Sequence, residues 1–342
     1  MDLTFPLAVV LSGGNALGAY QAGVLQVLQE ANLEPDWVCG GSVGAINGAI
    51  IAGNAPDSRV AQLRAFWRPG EVEASGGPAD EWRRTLAVSA ALVAGRADAF
   101  LPRNLLFPGF PLGNAEPPSL FDTLPLRASL PSFVDFDRLN AGAPRFIATA
   151  VDLENGDDVV FDTSVAPIGP DHLRASAALL PVFPPVEIDG RLLGDAGISA
   201  NLPLDSVLDS LTDERIFIVA VDLLPLAARR PATLTEVADR MQDLTFANQS
   251  RRAITAWSRV FAERAAGGRP TPAATLIHLV YADQGREVVG KAFDFSPTTL
   301  RDRWDMGARD ATAMLAMMND GRISIEERPG LHVHRLHFGP AT

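Results

Sequence analysis

Two strand–turn–helix units follow one another at the start of the chain, and both turns are built from glycine. Leu7 to Leu11 is an unbroken apolar run, the pattern of a strand buried on both faces. It leads into Ser12-Gly13-Gly14-Asn15-Ala16-Leu17-Gly18, after which Tyr20, Val24, Val27, Leu28 and Ala31 recur at helical spacing. Gln21, Gln29 and Glu30 are expected on the surface of that helix. The second unit runs from Asp36-Trp37-Val38-Cys39 through Gly40-Gly41-Ser42-Val43-Gly44 into the apolar stretch from Ala45 to Gly53. Strands alternating with helices in this way predict an α/β fold: a mostly parallel central sheet with helices on both faces.

The second turn carries a hydroxyl. Small residues on both sides of Ser42 let the chain bend sharply and lift the side chain clear, beside free N–H groups at a helix start. G-x-S-x-G alone is weak, since it recurs by chance in glycine-rich chains. The first turn strengthens it by exposing the backbone N–H groups of Gly13, Gly14 and Asn15 beside the strand that carries Ser42. Such donors are what a developing oxyanion needs. A dinucleotide loop is disfavoured, because Asn15 stands where a middle glycine belongs and the next strand ends in Cys39-Gly40 instead of an acid. An ordinary α/β-hydrolase is disfavoured too, since its elbow follows several strands.

With these motifs the chain resembles the patatin-like phospholipases. That family combines a glycine-rich loop on the first strand, G-x-S-x-G on the next, and a distant Asp-Gly-Gly or Asp-Gly-Ala. The counterparts here are Gly13 to Gly18, Gly40 to Gly44, and Asp195-Ala196-Gly197. Ala175-Ser176-Ala177-Ala178, Pro181 to Pro185, Asp189-Gly190 and Asn201-Leu202-Pro203 are similar as well, so the likeness covers about residues 6 to 225. Asp243-Leu244-Thr245-Phe246 and Phe295-Ser296-Pro297 look like a bacterial branch with a helical C-terminal extension. The resemblance implies a three-layer αβα sandwich with a catalytic unit over residues 1–228 and a mainly helical extension over 229–342 packed on the same core. It also implies a Ser42–Asp195 dyad that hydrolyses lipid acyl esters through an acyl-enzyme, supported by Gly40, Gly44 and Gly197. Asn15 replaces a glycine, Leu17 a basic residue, and Ala196 separates Asp195 from Gly197. Two rivals stay open: acyl transfer from the same intermediate, and a silent binding protein that keeps the fold.

Taken from residues alone, Asp195 is an ordinary Asx turn. The usual base would be a histidine, yet none of His172, His278, His332, His334 and His337 lies on a glycine-rich turn beside an acid. Each reads as structural, as Asp152, Asp162 and Asp222 read as solvated or capping groups. No His, Cys, Asp or Glu cluster has metal-ligand spacing, so neither metal nor cofactor is expected. The single cysteine, Cys39, reads as a buried core thiol.

A net charge of −12 opposes nucleic-acid binding and a general attraction to anionic membranes. No apolar run approaches the ~20 residues that span a bilayer, and Asp2 sits where a signal peptide needs a base. The expectation is a cytoplasmic or peripheral protein acting on a lipid or fatty-acyl ester. Residues 68–125, rich in proline and glycine, form an insertion with one helical candidate from Trp82 to Gly95. Its Phe100, Leu101, Leu105, Leu106, Phe107 and Phe110 either extend the core or form a lid, an entrance or a membrane contact. Further along, Asn155-Gly156 marks a hairpin, Ile216 to Val221 and Leu276 to Tyr281 mark strands, and Leu234 to Ala265 marks one long or broken helix.

Overall fold

Neighbouring residues of the central strands belong to two different cores. Leu7, Val9 and Leu11 face one, Ala8 and Val10 the other, and Phe217, Val219 and Val221 alternate likewise with Ile216, Ile218 and Ala220. That is the period-two geometry of a strand covered on both sides, and it makes a three-layer α/β fold. The computed structural model describes residues 4–72, 76–103, 119–212 and 214–339.

Along the chain come β1 (Leu7–Leu11), α1 (Ala19–Glu30), β2 (Trp37–Gly41), α2 (Val43–Ala52), α3 (Arg59–Trp67) and α4 (Gly77–Ala94). Two-residue strands β3 (Leu101–Pro102) and β4 (Phe121–Asp122) precede the short helices α5 (Leu124–Ser129) and α6 (Phe136–Asn140). Then follow β5 (Arg145–Asp152), β6 (Asp158–Asp162), α7 (Pro170–Ser176), β7 (Val186–Ile188), β8 (Arg191–Asp195), α8 (Asp205–Leu208) and β9 (Arg215–Asp222). The chain closes with α9 (Leu234–Ala266), β10 (Ala273–Val280), α10 (Pro297–Asn319) and β11 (Gly330–His337). The main sheet has the order β11-β10-β9-β1-β2-β5-β8-β7, with β6 also paired to β5. From β11 to β5 every pairing is parallel, whereas β6, β7 and β8 join antiparallel.

One layer holds α1, α2 and α10; the other holds the C-terminal half of α9, through Ile254 and Phe261. Helices α1 and α10 cross where a Cβ on Gly23 would lie 1.9 Å from the Trp304 carbonyl oxygen, and one on Gly307 2.0 Å from that of Tyr20. Only glycine at both positions allows that approach. The Tyr20 hydroxyl then donates to Asp310 at 2.8 Å, and the Trp304 ring N–H to Gln26 at 2.7 Å. Gln21, expected on the surface, is fully buried instead. Its amide donates to the Ser12 carbonyl at 2.8 Å and accepts from Asn47 at 3.0 Å, so a polar side chain ties the first turn to α2.

The hairpin at Asn155-Gly156 joins β5 to β6, with Gly156 at φ 80°. The stretch from Leu234 is one unbroken helix of 33 residues, opened by a Thr233–Glu236 capping box. Cys39 is buried, and burial pushes its thiol up to about 12. Asp222 is neither solvated nor a simple cap: it is 1% exposed and faces His278 Nε2 at 3.2 Å. In the insertion α4 starts earlier than the Trp82 signal, at Gly77. Phe100 is buried against Phe121, Phe183 and Phe295, which makes it core, while Leu101 is exposed. Leu105, Leu106, Phe107 and Phe110 lie outside the described residues.

Candidate active site

Parallel strands that end at one level leave a crevice beyond their C-terminal ends, and helix N-termini open into it. β1 ends at Leu11 opposite Gly40 of β2 and Val221 of β9, and the turns after β1 and β2 meet there. Ser42 occupies the second turn at φ 54°, ψ −128°. Side chains rarely adopt that backbone, and holding it costs on the order of 1–3 kcal/mol. Packing enforces it. A Cβ on Gly40 would lie 2.4 Å from the Gly44 carbonyl, and one on Gly44 would lie 2.3 Å from the Leu11 carbonyl oxygen. The Ser42 N–H donates to the buried Ser176 hydroxyl at 3.1 Å.

Asp195 reaches Ser42 through the edge of β5. β2 pairs with that strand up to Gly41 opposite Thr149, and β6 occupies the other edge. The next residue, Ala150, pairs with Asp195 on the edge that β2 has vacated. Serine and aspartate, far apart in sequence, thus occupy successive places along one strand. The C-terminal end of α7 and the residues just beyond it fix both backbones: Ser176 accepts the N–H of Ser42, and the Ala178 carbonyl accepts that of Asp195 at 3.0 Å.

The Asp195 carboxylate is 2% exposed. Burial pushes it up to about 6, against the opposing pull of the Ser42 hydroxyl and the Gly197 N–H. Oδ1 accepts that N–H at 2.7 Å, while Oδ2 is buried with no hydrogen-bond partner. Ser42 is therefore near enough to favour the ionised form, but short of full hydrogen-bond geometry. Such contacts commonly tighten only when substrate is bound.

The glycine loop contributes less than the sequence suggests. The Gly13 N–H is committed to the Asn201 carbonyl at 3.1 Å, so it is removed from the expected donor set. The N–H groups of Gly14 and Asn15 have no acceptor among the described residues. Asn15 sits at φ 50°, the left-handed backbone that Asn tolerates well.

Two further residues tie loop and turn together. Asn201 donates its amide to the Gly13 carbonyl at 3.3 Å. Gln249 of α9 accepts the Asn201 N–H at 2.8 Å and donates to the Gly197 carbonyl at 3.0 Å. Asn201 stood in a stretch noted for its similarity to the family. Nothing in the helical pattern around Gln249 distinguishes it from any surface glutamine.

Ser42, Asp195, Gly14 and Asn15 line one cavity of about 130 Å³. Its walls are apolar, with Phe100, Phe183, Phe293 and Phe295 among them, and α9 adds Gln242 and Phe246. Arg96 is the cation in the wall, stacked 4.8 Å from Phe66 and 5.2 Å from Phe295, and paired with Asp98 at 3.0 Å. Gly40, Gly44 and Gly197 stand behind the wall as backbone support. Neither His278 nor His172 lines the cavity: His278 faces Asp222, and His172 accepts the Gly169 N–H at 2.9 Å. Among the described residues no group of three or more His, Cys, Asp or Glu could hold a metal ion.

A family model described as patatin-like phospholipase matches residues 9–208, and one described as patatin phospholipase matches residues 246–322. An uncharacterized NTE family protein of Mycobacterium tuberculosis is 29% identical over 218 residues, which are 64% of this chain and 30% of that protein. The chain therefore spans about a third of that relative's length. The patatin-like phospholipase domain-containing protein 6 of Homo sapiens is 41% identical over 61 residues, 18% of this chain and 4% of that protein. The crystal structure of VipD from Legionella pneumophila superposes with a TM-score of 0.38 at 14% identity, covering 94% of this chain and 78% of that one.

Proposed function

The chain belongs to the patatin-like phospholipase family, and from that premise we propose that it hydrolyses carboxylic esters of lipids through a Ser42–Asp195 dyad. One observation carries the reading: a strained serine, a buried carboxylate and two free backbone donors line a single apolar cavity. The catalytic unit is residues 1–228. The extension over 229–342 adds β10 and β11 to the sheet and supplies part of the cavity wall.

The ester carbonyl lies at Ser42 with its acyl chain against the phenylalanine walls. Asp195 takes the hydroxyl proton as Oγ bonds to the carbonyl carbon. With a carboxylate lifted to about 6, Asp195 is ionised at neutral pH yet more basic than an exposed aspartate. The oxyanion of the tetrahedral intermediate accepts from the N–H groups of Gly14 and Asn15. Collapse expels the alcohol, which leaves with the proton from Asp195 and forms the acyl-enzyme. Water then attacks that ester, giving its proton to Asp195, and the fatty acid departs as Ser42 is reprotonated.

The test is labelling by a fluorophosphonate together with release of acids from a mixed lipid extract. Both depend on Ser42, and an extract left unchanged by a chain that does label would move the reading from lipid hydrolysis to another acyl transfer. No label at all would support the silent binding protein.

A further inference from the structure

Helix α9 is too long for the layer it belongs to. Its 33 residues extend about 50 Å, while an eight-residue strand such as β10 covers about 26 Å. The C-terminal half is buried on the sheet; the N-terminal half runs on past the strand ends, where Gln242 and Phe246 line the cavity. On that overhang Leu234, Val237, Met241 and Leu244 are 85%, 48%, 67% and 37% exposed. At 100° per residue these four fall within an arc of about 80°, and the cavity-lining Gln242 and Phe246 point roughly 120–160° away from its centre. The apolar stripe and the cavity wall are thus two sides of one helical segment.

The charges around the stripe differ from those of the chain. Residues 226–252 contain five arginines and three acids, although the whole protein carries −12. All three acids are occupied: Glu236 by the N–H groups of Ala232 and Thr233, Asp239 by the Gly290 N–H, Asp243 by Lys291. Arg229 and Arg230 before the helix, and Arg251 and Arg252 beyond the stripe, are exposed. An apolar face with cations at both ends matches an anionic lipid interface, where the acyl boundary takes the apolar groups and the headgroups take the arginines. A second element agrees. The turn at Lys291–Phe293, which contributes Ala292 and Phe293 to the cavity, follows Gly290, which touches Val88 of α4. On its outer side α4 leaves Trp82, Leu86 and Val93 at 65%, 50% and 77% exposure. Among the described residues no helix is long and apolar enough to cross a membrane, so contact of this kind is peripheral.

We propose that the N-terminal half of α9 is a docking surface for an anionic lipid bilayer, which brings the cavity beside it to the membrane. The purpose of that docking rests on the lipid-hydrolase reading; the binding itself does not. The test uses Ser42→Ala protein, so that lipid stays intact, with vesicles of equal parts phosphatidylcholine and phosphatidylglycerol in a sedimentation assay. The expected result is binding that falls at least about tenfold in the added triple variant Val237→Glu, Met241→Glu, Leu244→Glu, and less steeply in Arg251→Ala, Arg252→Ala. With Ser42 restored, the triple variant should keep its turnover of a soluble short-chain ester and its unfolding temperature. Binding by the triple variant equal to that of its parent overturns the proposal. So does a parent that dimerises through this face, with the triple variant becoming monomeric and vesicle binding unchanged. A chain that binds vesicles through the stripe but turns over no ester would leave the surface standing and remove the hydrolase.

Discussion

The serine elbow and the aspartate turn meet in one cavity but are held by different means. The elbow is fixed by backbone packing: Gly40 against Gly44, Gly44 against Leu11, and a main-chain bend that only this close fit sustains. Its rigidity comes from main-chain contact at van der Waals limits, within the turn and against the end of β1. The aspartate turn is held by long-range hydrogen bonds, from Ala178, Asn201 and above all Gln249, which arrives on α9 from 52 residues beyond Gly197. The elbow tolerates almost no change of shape, whereas the turn depends on partners that can be removed one at a time.

The largest effect should come from the elbow. Ser42→Ala removes the nucleophile and should lower turnover of a short-chain ester on the order of 10⁴-fold or more, with the fold intact by circular dichroism. Wild-type turnover by that variant would end the assignment. Asp195→Asn should cost nearly as much, and the double variant little more than either single one, because the two act as a unit. By contrast, His278→Ala should retain most activity; a folded but inactive His278 variant would replace the dyad with a triad.

The carboxylate also makes a prediction about pH. Asp195 stands at about 6 in the folded protein against 3.8 for an ordinary aspartate. The native state therefore holds this proton more tightly than the unfolded chain does. Stability from this group is greatest below the unfolded value and falls as pH rises through the window between the two, by up to about 3 kcal/mol. Asp195→Asn should flatten that part of a denaturation-versus-pH curve. Activity should move the opposite way: kcat/KM should rise as pH passes through about 6, as the base ionises. A rate profile flat from pH 5 to 8 would separate Asp195 from the proton transfer.

The smallest effect sharpens the contrast between the two regions. Gln249→Ala removes both hydrogen bonds from the turn and should lower kcat about tenfold with little change in KM, since it misaims Asp195 without touching the cavity wall. Gln249→Glu keeps the acceptor for the Asn201 N–H but loses the donor to Gly197, and should fall between. If Gln249→Ala instead destabilised the whole chain with kcat unchanged, the helix would be a structural strut and not a positioning element.

The sequence by itself determined the parts of this site that are local. A run such as Leu7 to Leu11 reads as a doubly buried strand and Gly40 to Gly44 as a passage from strand to helix, because the spacing of apolar and glycine residues biases backbone geometry over a few positions. Cys39 in the core, the Asn155-Gly156 hairpin and the helix over 234–265 follow from the same short-range rules, which leave open whether that helix is broken. Tertiary structure decided everything that depended on a partner distant in sequence. Asp195 alone was an Asx turn until β8 took the edge of β5 that β2 leaves free. Gly13 was an available donor until Asn201 occupied it, Gln21 a surface residue until α2 and the first turn closed over it, and Phe100 undecided between entrance and core until four other phenylalanines packed around it. Hydrogen-bond partnership and burial are properties of pairs, and a one-dimensional pattern records only one member of each.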